Sequence, residues 1–120
     1  MTDRIALALV GKTITAVELS PDRFRLTPRT ADGPVILRTE GDCCSCTWIE
    51  ALDDPEALLG TVTAVEDLPM RDLGSVGTPY RPDVDIVSYY GLKVTTEKGR
   101  CVIDYRNDSN GYYGGSLELE

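Results

Sequence analysis

The stretch "VDIVSYYGLKVTTEKGRCVIDYRN", residues 84–107, constrains the fold most. Two runs rich in β-branched and aromatic residues flank Lys98-Gly99. Such residues fit a pleated, half-buried surface. A glycine at a short turn supplies the backbone freedom that a tight hairpin needs. More strand-length runs lie upstream. "KTITAVELS" and "RFRLTP" are separated by Pro21-Asp22, a turn signal. Phe24 and Leu26 would share one face of the second run, and Arg23 and Arg25 the other. "TADGP" then turns into "VILRTE", so residues 12–40 read as a three-stranded meander. "TVTAVEDLP" reads as another strand, and the closing "SLELE" puts Leu117 and Leu119 on one face.

Helical signals are few. Residues 2–10 form a short helix or a first strand, with Thr2 or Asp3 as cap and Gly11 as the stop. Thr47 with Glu50 three residues on fits a capping box, which predicts a helix there. Asp54-Pro55 reads as a cap followed by a first-turn proline, and Gly60 suits the end of that turn. Residues 70–83 carry two Gly and two Pro and read as the most mobile loop. Asn107 to Asn110 are turn formers. The fold class expected is α+β, in one domain over residues 1–120: mostly antiparallel β, as a curled sheet or small barrel, with one or two short helices.

At 120 residues the chain can bury a real core without covalent staples. Its formal net charge of −8 argues against binding nucleic acid through phosphates, though a local basic pocket or a basic protein partner stays open. There is no histidine, so the commonest general base and the commonest metal ligand are both missing. "IALALVG", residues 5–11, is too short for a membrane span and lacks a cleavage site after it. The expectation is a cytoplasmic protein with no membrane partner.

Two stretches carry chemistry. "GDCCSCTW", residues 41–48, holds three of the four cysteines. As a metal site, Cys44, Cys46, Cys101 and Asp42 could supply four ligands, but the paired C-x₂-C spacing usual for zinc is absent. As a disulfide, neighbouring Cys43 and Cys44 have Cα atoms about 3.8 Å apart, short of the usual range of about 4.4–6.8 Å. A bridge from the cluster to Cys101 is geometrically open, and a reducing cytosol disfavours it. As a nucleophile, Cys46 would sit at the helix that Thr47 caps, with no histidine to move protons. The fourth reading is a tight turn in which small buried thiols fill space, with Trp48 and Ile49 anchoring the helix. The weights fall on a turn first and a site second.

"YRNDSNGYYGGS", residues 105–116, is a turn or bulge, or else a polar ligand cradle. Backbone N–H groups beside glycine can bind an anion, and a tyrosine can stack on a planar ring. The glycines follow neither the Walker nor the Rossmann pattern. Tyr80, Tyr89, Tyr90 and Tyr105 read as half-buried strand or loop residues rather than a stacking ladder. Asp53 with Asp54, and Asp83 with Asp85, are adjacent only in sequence, and nothing fixes them as an acid–base pair.

Together, "GDCCSCTW" and "NDSNGYYGGSL" resemble an uncharacterised family of small bacteriophage and actinobacterial proteins with D-C-C-S and S-N-G-Y-Y-G-G motifs. The resemblance spans roughly residues 11–119. It points to Asp42, Cys43, Cys44 and Ser45, and to Ser109, Asn110, Gly111, Tyr112, Tyr113, Gly114 and Gly115. It implies a phage or prophage setting and no known activity. With Asn107 added, these residues form the expected ligand site, on a surface where both motifs meet.

The function expected is a non-enzymatic accessory protein. It would bind a small polar ligand, nucleotide-derived in one version, or a host protein, for example in counter-defence. No cofactor, metal or catalytic residue is expected, and a homo-oligomer stays open. The alternatives are a Cys-dependent enzyme using Cys43, Cys44 or Cys46, and a structural phage component acting by assembly.

Overall fold

The computed structural model describes residues 2–41, 45–74, 86–109 and 114–120. The chain opens with one helix, α1 (Thr2–Leu9). Ile5 and Leu9, one helical turn apart, are buried, while Leu7 between them is 84% exposed. That one-sided spacing seats the helix on the sheets by a narrow apolar stripe. Gly11, at φ +86°, ends it in the left-handed region.

The rest is mostly antiparallel β in two sheets that do not close on each other. The first runs β1 (Ile14–Leu19), β2 (Arg25–Thr30), β4 (Leu37–Gly41), β9 (Gly115–Leu119), with the short β3 (Gly33–Pro34) also on β2. The second runs β5 (Cys46–Leu52), β8 (Gly99–Ser109), β7 (Ile86–Thr96), β6 (Val62–Gly74). The meander at residues 12–40 and the hairpin at Lys98-Gly99 are both present. The hairpin turn centres on Glu97-Lys98, with Gly99 at φ +130° pairing Thr96.

Alternation explains the core. In β8, Cys101, Ile103 and Tyr105 face inward, directly opposite Val94, Leu92 and Tyr90 of β7. In β1, a bulge between Ile14 and Ala16 shifts the phase, so Ile14 and the later pair Val17 and Leu19 all reach the core. One apolar cluster draws on both sheets, α1 and a 3₁₀ turn at Pro55–Leu58. Asp54 caps that turn as expected, its carboxylate accepting from Ala57 N at 3.4 Å.

Three expectations fail. Residues 46–52 are strand β5, not a helix. Glu50 accepts from Trp48 Nε1 at 3.0 Å instead of closing a capping box, and pairing with β8 takes the backbone bonds. Trp48 and Ile49 are buried on opposite faces, and two-sided burial is what aromatic and β-branched residues favour in a strand. Asn107, Asp108 and Ser109 extend β8 rather than turning. Residues 70–74 still belong to β6, and the remainder of the loop expected at 70–83 lies outside the described residues.

The inward ladder predicts stability effects. Ile103→Ala should cost about 2–5 kcal/mol, the range for a buried isoleucine. Leu7→Ala, on the outer face of α1, should change stability by less than about 0.5 kcal/mol. Urea denaturation of both variants checks the contrast.

Candidate functional site

The core face of the second sheet changes character along its length. Ile49, Tyr105 and Tyr90 form one row across β5, β8 and β7. Thr47, Asn107 and Ser88 form a polar row one step further toward the strand ends. All three polar residues are buried, Asn107 completely. Thr47 Oγ1 lies 2.8 Å from Asn107 Oδ1 and 3.1 Å from the Glu40 carbonyl. Its single proton serves one acceptor at a time.

Directly against this row stands the last pair of the first sheet, Gly41 opposite Gly115. A Cβ on Gly115 would lie 2.2 Å from Thr47 Oγ1 and 3.0 Å from Asn107 Oδ1. A Cβ on Gly41 would lie 2.9 Å from Ser45 Oγ. Gly115 is therefore required by the close approach of the two sheets, whereas at Gly41 the tightest contact is with the end of the Ser45 side chain. Gly114 meets Tyr90, whose hydroxyl would be 3.1 Å from an added Cβ and accepts from Gly115 N at 3.4 Å.

This arrangement gathers the described ends of both motif stretches. β4 leaves the first sheet at Gly41, and β5 enters the second at Cys46. β8 leaves the second sheet at Ser109, and β9 enters the first at Gly115. Gly41 pairs with Gly115, Cys46 pairs with Asp108, and Ser45 Oγ donates to the Gly114 carbonyl at 3.3 Å. The two crossings between sheets thus start and finish side by side. Of the expected ligand residues, Ser45, Asn107, Gly114 and Gly115 meet here, with the backbone of Ser109 next to them. Asp42, Cys43, Cys44, Asn110, Gly111, Tyr112 and Tyr113 lie outside the described residues.

A family model matches residues 7–119. The chain belongs to DUF7448, a domain of unknown function. No curated protein and no solved structure matches it.

Beside the crossings, this DUF7448 chain has an open cleft of about 340 Å³. Phe24, Arg25 and Arg38 line one part of it, and Ser45, Cys46 and Thr47 another. The turn carrying Phe24 is held to β5. Arg23, at φ +67°, donates through Nη1 to the Glu50 carbonyl at 2.6 Å, and Ile49 N donates back to the Arg23 carbonyl at 2.8 Å. Arg25 pairs with Glu120 at 2.7 Å and Arg38 with Glu40 at 2.7 Å. Both pairs are at least a third exposed, where such bridges contribute little and exchange partners cheaply.

Sequence reasoning missed Gly41 and Thr47 as contacts, and Phe24, Arg25 and Arg38 as cleft walls. Periodicity could have found part of this. Cys101, Ile103 and Tyr105 carry an inward face that the next step gives to Asn107. Tyr89 and Tyr90 are half-buried strand residues as expected, whereas Tyr105 is buried. Tyr90 and Tyr105 stack with centroids 5.2 Å apart, and Arg71 lies over the Tyr89 ring at 4.6 Å. Tyr80 lies outside the described residues.

The two described cysteines differ. Cys46 is a half-buried thiol on the cleft. It begins a strand, so the helix terminus expected to activate it does not exist. Cys101 is sealed in the core, and burial first of all pushes its thiol up to about 11.

Two outcomes follow. Gly115→Ala should destabilise by about 1–3 kcal/mol, because Thr47 is short, branched and buried and cannot swing away. In a double-mutant cycle, adding Thr47→Ala should recover more than about 0.5 kcal/mol of that loss. For Cys101, the unfolded thiol ionises from about pH 9 while the folded one holds its proton to about 11. The stability it confers is complete below pH 9 and is lost as pH rises through 11. Unfolding midpoints measured across that window in the wild type and in Cys101→Ala should show a steeper decline in the wild type.

Proposed function

We propose that the protein is a small non-enzymatic accessory protein that binds a small, polar, anionic ligand of nucleotide-derived type in the Phe24–Arg38–Ser45 cleft. The carrying observation is that an acidic chain holds two arginines and an aromatic ring against the start of the strand that follows the D-C-C-S segment. Guanidinium groups suit phosphate because their forked donors match its oxygens. Phe24 offers a ring to stack on. Exchanging the exposed Glu40 or Glu120 carboxylate for a ligand phosphate costs little.

The resemblance to small phage and actinobacterial proteins supports a phage or prophage setting, with work in the host cytoplasm. Counter-defence is the example of such work, and a host protein is the other occupant that this surface suits. No helix is long and apolar enough to cross a membrane among the described residues.

One observation favours a second reading, a Cys-dependent enzyme: the Cys46 thiol lines the same cleft as Arg25 and Arg38, and nearby cations favour a thiolate. Against it stands the absence of histidine.

Nucleoside mono- and diphosphates, with inorganic phosphate as comparator, should separate these readings. At least one nucleotide should raise the melting temperature and bind measurably by calorimetry. Arg38→Gln should weaken that binding by about 1.5–3 kcal/mol, the value of hydrogen bonds to charged groups, and leave the fold intact. A panel without a single binder overturns the nucleotide reading. Fast alkylation of Cys46 by iodoacetamide at neutral pH, with unchanged stability in Cys46→Ser, would carry the enzyme reading instead.

A further inference from the structure

The two arginines of the cleft are placed against each other. Arg25 and Arg38 are direct partners across β2 and β4. Like charges opposite each other on neighbouring strands destabilise a sheet. An anion bound between them removes that repulsion. Among the described residues no carboxylate lines this cleft, whereas Asp3, Asp67 and Glu118 all line another cavity, of about 290 Å³.

These two are also bonded unlike other arginines of the fold. Arg29 holds Glu18 by a fork, Nε on one oxygen at 3.0 Å and Nη2 on the other at 3.2 Å. Arg106 holds Asp104 in the same way, both bonds at 3.1 Å. A planar guanidinium favours that two-on-two geometry. Neither cleft arginine has it. Arg25 donates only through Nε, to Glu120 at 2.7 Å, and its Nη donors bond no group among the described residues. Arg38 sets Nε and Nη2 on a single oxygen, Glu40 Oε1, at 2.9 and 2.7 Å. Its Nη1 donates to the Leu119 carbonyl at 3.1 Å. The cleft pair therefore offers more donors than its carboxylates take up.

An anion that serves both arginines needs more than one charge and more than a pair of oxygens. A terminal phosphate carries about 1.5 to 2 negative charges at neutral pH and three acceptor oxygens. It can take the Nη fork of Arg25 while Glu120 stays on Nε. With one oxygen shared, it also gives Arg38 a two-oxygen partner in place of Glu40 Oε1. A phosphodiester has a single charge and one oxygen fewer, which suffices for one fork. We infer that the cleft selects a terminal phosphomonoester over an internal phosphodiester, with Arg25 and Arg38 as the specificity-determining pair. This rests on the anion reading of the cleft and adds the class of phosphate. Two sources share that chemistry, a nucleotide and a sugar phosphate.

Calorimetry at about pH 8, above the second ionisation of a monoester near pH 6, tests this. The probes are AMP, GMP, CMP, UMP and ribose 5-phosphate, each beside the methyl ester of its own phosphate. At least one monoester should bind, one per chain, about tenfold or more tighter than its methyl ester. A nucleotide tighter than ribose 5-phosphate identifies a nucleotide as the source, and equal or tighter ribose 5-phosphate identifies a sugar phosphate. Arg25→Gln and Arg38→Gln, both at partly exposed side chains, should each cut the ester ratio to about threefold or less, because one arginine cannot tell the two apart. Arg29→Gln, on β2 but outside the cleft, should leave the ratio unchanged. A methyl ester within about threefold of its parent overturns this inference while the anion cleft stands. So does a ratio that survives both Arg25→Gln and Arg38→Gln. If no monoester and no methyl ester binds, the anion reading falls and this inference falls with it.

Discussion

The approach of the Gly115 backbone to Thr47 and Asn107 is the contact on which the two-sheet arrangement depends. The first sheet ends at Gly41 and Gly115, and the second continues beneath them through Thr47 and Asn107. With a Cβ on Gly115 the sheets would have to part, since 2.2 Å to Thr47 Oγ1 is far inside contact distance. Without it, the Thr47 hydroxyl reaches both the Glu40 carbonyl of one sheet and Asn107 of the other. Buried polar groups are costly when left unpaired, so this bond also fixes register. A one-residue slip of β8 would turn Asn107 to the opposite face and strand Thr47 in the core.

The polar row also explains why polar surface collects at this end. Along β7 and β8 the inward face passes from Val94 and Cys101, through Leu92 and Ile103, to the Tyr90–Tyr105 stack, and then to Ser88 and Asn107. Tyrosine is the natural residue at such a boundary, with an apolar ring for the core and a hydroxyl for the wet side. Beyond it, β4 and β8 end, and β5 and β9 begin. Segments on a rigid frame are where binding residues tend to lie. The arginine cleft takes in Ser45, Cys46 and Thr47, and a second cavity takes in Gly115, Tyr90 and Tyr105.

Much of the strand order was legible because it rests on short-range chemistry. The meander, the hairpin at Gly99 and the final strand each carry alternation and a turn residue. What failed were signals that long-range pairing overrides. Thr47 and Glu50 have helix-cap spacing, but Trp48 and Ile49 gain more from burial on two faces of β5 than from one helical turn. Asn107 and Asp108 have turn composition, but their place in β8 is set by partners in β5 and β7 some twenty to sixty residues away. The site was legible as two motifs and not as a constellation. Phe24, Arg25 and Arg38 carry no local mark of function and become cleft walls only because β2 and β4 pair beside the start of β5.

Charge placement ties the cleft to the cavity. Arg38 of β4 and Glu118 of β9 are direct cross-strand partners, one lining the cleft and the other a second cavity beside Tyr90 and Tyr105. Each therefore lies within the field of the other, inside a Debye length of about 8 Å at physiological salt. The amino terminus first, and Arg38 as well, hold the Glu118 carboxyl below its usual range. Opposite charges on neighbouring strands thus sit side by side on one face of the first sheet, where each offsets the other's repulsion within an acidic chain.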